Sequence, residues 1–174
     1  MSVFALEAVQ AKVTAVTPRA EIHGPELVPA MSIMLVAIAP AATMSPLDVQ
    51  LNKICFRKPG KEESVQGELP GTTSNEGHTA LRFPKIKSHM WEEKLTGYAI
   101  KIGSGLSTTG GLFIDMVDIK HLVITPKEGG IVEYKIPCAF KVDSELAGDL
   151  AMLVGQTVEV TLAPRSETQE EINA

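Results

Sequence analysis

GGIVEYKIPCAFKVDSELAGDLAMLVGQTVEVTL, residues 129–162, carries the clearest pattern in the chain. From Val132 every even position is apolar: Val132, Tyr134, Ile136, Cys138, Phe140 and Val142. Glu133, Lys135 and Lys141 fall between them, so one face of a strand belongs to a core and the other to water. Asp143 and Ser144 then offer helix N-caps, and Leu146, Leu150, Leu153 and Val154 fall on one stripe of a short helix. Gly155 occupies the place of the left-handed residue after a helix. Val158, Val160 and Leu162 alternate with Thr157, Glu159 and Thr161, which predicts a second half-buried strand.

Working outward, the N-terminal part predicts one long strand or two short ones over residues 3–16. There Val9, Ala11, Val13 and Ala15 alternate with polar partners. Pro18, Gly24, Pro25 and Pro29 predict a connection over residues 18–29. Residues 31–39 are apolar on both parities, the pattern of a strand covered on both faces. Ser45-Pro46-Leu47-Asp48 reads as a helix start, with Leu47, Leu51, Ile54 and Cys55 as its apolar stripe and an end before Pro59-Gly60.

Residues 61–78 are rich in Gly, Ser, Thr, Asn and Glu and read as a mobile loop. Tyr98, Ile100 and Ile102 predict a further strand. Between Leu112 and Thr125 the apolar parity changes more than once, which predicts two strands or a bulged one. The sum is a mainly β domain over residues 1–163. It is a sandwich or partly open barrel of about seven or eight strands with two short helices. An acidic tail, residues 164–174, reads as frayed.

The composition fits a globular protein of 174 residues, 44% hydrophobic and 21% charged. A net charge of −5 argues against a surface built throughout for polyanions. The longest apolar run, residues 33–42, is about half of a membrane span and is broken by Pro40. The first residues lack the pattern of a signal peptide, so a cytoplasmic setting without membrane contact is expected. Cys55 and Cys138 lie on apolar stripes and are expected as buried free thiols.

His23, His78, His89 and His121 are scattered without metal-ligand spacing, so neither metal nor cofactor is expected. Gly103-Ser104-Gly105 matches neither phosphate-binding glycine pattern, and no G-x-S-x-G elbow is present. The expectation is a protein that is not an enzyme. One charge feature remains. Arg57, Lys58 and Lys61 follow Lys53 with no acid between, and Arg82, Lys85, Lys87 and Lys94 flank Trp91, the only tryptophan. Cations mixed with an aromatic suit a single-stranded nucleic acid or an acidic partner protein. Those eight residues, Arg57 to Lys94 with Trp91, form the candidate binding set.

TPRAEIHGPELVPA (17–30), then LRFP (81–84) with Trp91 and Gly97-Tyr98, then Glu128-Gly129-Gly130, occur in an order that resembles small early-region proteins of tailed bacteriophages and prophages. The resemblance spans most of the chain and transfers no site residue. It implies a bacterial host cytoplasm and a role in phage DNA processing or host takeover, and the β domain with long loops and no catalytic motif points to a non-catalytic binding protein. The binding target would be a host or phage protein, in host takeover or defence inhibition, or the machinery of phage DNA recombination or replication. Direct binding of single-stranded nucleic acid and a place in the virion are the alternatives.

Overall fold

A computed structural model describes residues 3–61, 77–103 and 111–165. Among these residues the chain forms ten strands, a 3-10 turn and two helices. Strands β1 (Leu6–His23), β10 (Thr157–Pro164), β6 (Leu95–Gly103), β7 (Leu112–Ile119), β9 (Ile131–Lys141) and β2 (Glu26–Pro40) pair in that order, and β2 pairs back to β1. The six therefore close into a barrel, antiparallel at every seam. Of the two architectures the sequence allows, the barrel is the one formed. Two further strands extend the sheet: β8 (Leu122–Lys127) on β9, and β5 (His89–Trp91) on β8.

The organising stretch folds as its pattern requires. Val132, Tyr134, Ile136, Cys138 and Phe140 on β9 are all buried, as are Val158, Val160 and Leu162 on β10. Between them lies helix α2 (Ser144–Ala151), where the Asp143 carboxylate accepts the Leu146 N–H at 2.8 Å and Leu150 enters the core. Gly155 takes φ +82°, a conformation that glycine adopts without steric cost.

Closing six strands requires local twist, and bulges supply it. In β1 the buried parity passes from Leu6 to Ala11 and Val13 across a register shift that contains Ala8 at φ +47°. In β7 it passes from Ile114 to Val117 and Ile119 across Met116 at φ +55°. The parity changes in residues 112–125 thus have two causes: a bulge at Met116 and a break at Lys120 and His121. Beyond that break β8 takes over from β7 on the same edge of β9.

Several expectations are corrected. Residues 31–39 bury one parity only: Met31, Ile33, Leu35, Ala37 and Ala39 face inward, while Ile38 is exposed on the outer barrel wall. Residues 18–29 are a hairpin rather than a connection. Strand β1 runs on to His23 and β2 starts at Glu26, with Pro18↔Met31, Ala20↔Pro29 and Ile22↔Leu27 in register. Proline is tolerated there because the outer edges of this segment carry no ladder partner among the described residues.

The first helix is shorter than its stripe suggests. A 3-10 turn (Ala41–Met44) precedes it, and the Asp48 carboxylate accepts the Gln50 N–H at 2.7 Å, a local bond that competes with helix. Helix α1 is therefore only Leu51–Cys55, and it turns Cys55 to the core while Ile54 faces outward. The core contains both cysteines as free thiols. Tyr134 anchors its centre: the ring meets Phe4 edge-on at 5.3 Å between centroids, and its hydroxyl shares a 2.7 Å hydrogen bond with Thr43 Oγ1. Burial pushes the Tyr134 phenol and the Cys138 thiol well above their ordinary pKa values.

Residues 62–76, most of the segment expected as a mobile loop, and residues 166–174, most of the expected tail, lie outside the described residues.

Candidate functional site: a cationic groove beside the first helix

Two short strands bring the basic segments together. β3 (Phe56–Arg57) pairs with β4 (Ala80–Leu81), with Phe56 opposite Leu81 and Arg57 opposite Ala80. Phe56 is fully buried and fixes this small sheet to the core. The chain past β4 then lies against the end of α1. The Arg82 N–H donates to the Cys55 carbonyl at 2.9 Å, its Nε to the Lys53 carbonyl at 3.0 Å, and its Nη2 to the Phe56 carbonyl at 3.5 Å. A guanidinium on the last carbonyls of a helix satisfies otherwise orphaned acceptors and complements the helix dipole.

Arg82 thereby builds a groove of about 460 Å³ lined by Gln50, Lys53, Ile54, Arg82 and Phe83. Apolar and cationic side chains line it together: Ile54 is 47% exposed and Phe83 49%, with Lys53 and Arg82 in the same lining. After Phe83 the chain turns over Pro84 and Lys85, with the Ile86 N–H donating to the Phe83 carbonyl at 3.0 Å. The turn leaves Lys85, Ile86 and Lys87 exposed. Ser88 then ties the segment to β8 through a 3.0 Å hydrogen bond between its Oγ and Thr125 Oγ1.

The eight candidate residues separate by role. Arg82 lines the groove, and Lys85 and Lys87 are exposed on the segment that follows Phe83, outside the groove lining. Arg57 is half-buried on β3 and donates through Nη1 to the Lys58 carbonyl at 3.3 Å, while Lys58 and Lys61 are exposed beyond it. Lys94 pairs with Asp118 at 3.1 Å, an exposed ion pair of little energetic weight. Trp91 lies opposite the buried Leu122 and packs half-buried against the core. Its indole Nε1–H is buried without a hydrogen-bond partner among the described residues.

Gln50, Ile54 and Phe83 are groove residues that charge counting does not select. The available signal was Phe83-Pro84: the proline bars a strand from continuing and leaves an aromatic at a turn, beyond the end of β4 at Leu81. Among the described residues no three His, Cys, Asp or Glu side chains are grouped to hold a metal ion. Among the described residues no helix is long and apolar enough to cross a membrane. Comparison with protein-family models, curated proteins and solved structures finds no match.

Proposed function

We propose that the protein is a non-catalytic binding protein of phage type, acting in the host cytoplasm, and that its groove takes an acidic, apolar segment of a partner protein. The supporting observation is the juxtaposition of Ile54 and Phe83, two large exposed apolar side chains, with Lys53 and Arg82 in one groove. Apolar side chains gain by excluding water, while cations in the same lining favour an acidic ligand and speed its encounter. The resemblance to phage early-region proteins supports the setting, and the lack of any catalytic motif spacing supports binding over turnover.

A second reading rests on Phe83. An exposed ring among Lys53, Arg82 and Lys85 could take a stacked base, at about 1–3 kcal/mol per base. The aliphatic wall at Ile54 and the acidic whole, with net charge −5, favour the protein partner.

The test uses two fluorescent probes, a peptide alternating Glu and Leu and an oligo-dT strand, titrated against the parent and a Lys53→Glu, Lys58→Glu, Lys85→Glu, Lys87→Glu variant. The parent should bind the peptide and the variant should lose it, with melting unchanged. Binding of oligo-dT alone, with a steep salt dependence, would favour the nucleic-acid reading. No difference between parent and variant with either probe would overturn both.

A further inference from the structure

The hairpin of β1 and β2 outruns the barrel. β10 accompanies β1 only as far as Lys12, and β9 accompanies β2 only from Ala30 onward. Residues 17–29 therefore form a two-stranded arm without sheet neighbours among the described residues. Its two faces differ. Pro18, Ala20, Ile22, Leu27 and Pro29 share one face by register, and all are exposed. On β2 this face continues through Met31, Ile33 and Leu35, which point into the barrel. The core-facing stripe thus runs off the end of the barrel with nothing over it among the described residues, and at its tip Ile22 is 78% and Leu27 71% exposed. The other face carries Arg19, which donates to Ser32 Oγ at 3.0 Å, and Glu21, 3.4 Å from His23, with Glu26 opposite His23.

We infer that this arm docks in the groove of a second copy of the chain. Three observations converge. First, the chemistry is compatible: the apolar face of the tip, Ile22 and Leu27, suits Ile54 and Phe83, and Glu21 and Glu26 on its other face make the tip acidic beside the Lys53 and Arg82 of the groove. Second, the sizes agree. A cavity of about 150 Å³ accepts a benzene ring, so a groove of about 460 Å³ has room for two aliphatic side chains. Third, the arm cannot serve its own groove. The arm is at the start of β2, whereas α1 packs near the 3-10 turn that follows the strand's far end at Pro40. The strand path from Leu27 to Pro40 spans roughly 40 Å.

This rests on the reading of the groove as a protein-binding site and names one segment that fits it. The two surfaces are different, so the contact is heterologous: it either repeats from copy to copy or closes reciprocally in a pair. The tip is small beside a standard interface, so assembly should depend on concentration.

Light scattering and sedimentation of the full chain over a range of concentrations provide the test, with an arm variant (Ile22→Asp, Leu27→Asp) and a groove variant (Lys53→Glu, Phe83→Asp). These positions are exposed, and thermal melts confirm that each variant folds. The parent should assemble as concentration rises, and each variant alone should associate at least tenfold more weakly. Mixing the two variants should restore a one-to-one complex, because one keeps its groove and the other its arm. A groove variant that assembles like the parent, a parent that stays monomeric, or a mixture that forms no complex would each overturn the inference. The Glu-Leu peptide separates this from the underlying reading. If the arm variant still binds the peptide while the parent stays monomeric, the groove reading stands and the self-docking fails. If the copies assemble through arm and groove without peptide binding, the self-docking stands and the groove is specific for the arm rather than for acidic, apolar segments of other partners.

Discussion

β2 is one continuous strand with two environments. From Ala30 to Pro40 it lies between β1 and β9, and its odd-numbered side chains fill the barrel. From Glu26 to Pro29 its only ladder partner among the described residues is β1, with one further bond from the Val142 N–H to the Pro29 carbonyl at 3.3 Å, and the same parity is exposed. The alternation is common to both halves; a second neighbour is what they differ in. A strand with partners on both edges and a covered face is held by ladder hydrogen bonds and burial together, whereas a two-stranded ribbon is marginal by itself. The barrel half therefore carries stability, and the arm is free to carry recognition.

Phe140 lies opposite Met31, where the barrel half begins, and both are buried. Phe140→Ala should cost about 3–5 kcal/mol in denaturant melts, the usual range for emptying a buried aromatic site. A loss below about 1 kcal/mol would mean that this end of the barrel is not closed.

Alkaline pH should weaken the same core. Tyr134 and Cys138 have pKa values raised by burial, so folding favours their neutral forms. Their contribution is complete below the unfolded pKa values, about 8.5 for a thiol and about 10 for a phenol. Above those values each group costs about 1.4 kcal/mol per pH unit until its folded pKa is reached. The melting temperature should therefore fall from about pH 9 upward, and a Cys138→Ala, Tyr134→Phe variant should show a shallower fall. Equal slopes would show that other groups govern the alkaline limb.

Asp143 caps α2, so Asp143→Ala should cost about 1 kcal/mol. The smallest effect belongs to the arm. Leu27→Ser should change the stability of the monomer by less than about 0.5 kcal/mol, since the side chain is already in water. A large loss in dilute protein would show that the arm is folded onto something within its own chain.

The barrel half was legible because burial on one face leaves a period of two, and β9 and β10 show it without interruption. The arm was misread for a related reason. Pro18, Pro25 and Pro29 signal a connection wherever a strand needs both edges, and this ribbon needs only one. The bulge at Ala8 was hidden because the residue is not glycine, the usual marker of positive φ, whereas the bulge at Met116 showed in the changing parity of residues 112–125. Helix α1 was overextended because the apolar stripe persists while the Asp48 side chain has already taken the Gln50 N–H. At the site, the two cationic segments were visible as charge, but their meeting depends on β3 and β4, each only two residues long. Two-residue strands leave no periodicity to read.

Hydrogen exchange along β1 and β2 tests the division most directly. In dilute protein, amides of residues 17–29 should exchange at least about 100-fold faster than those of residues 31–39, a gap of about 2.7 kcal/mol in opening free energy. At high concentration the arm should slow, together with residues 53–56 and 82–86 of the groove, while residues 31–39 stay unchanged. Arm amides as slow as the barrel in dilute protein, or an arm indifferent to concentration, would contradict it.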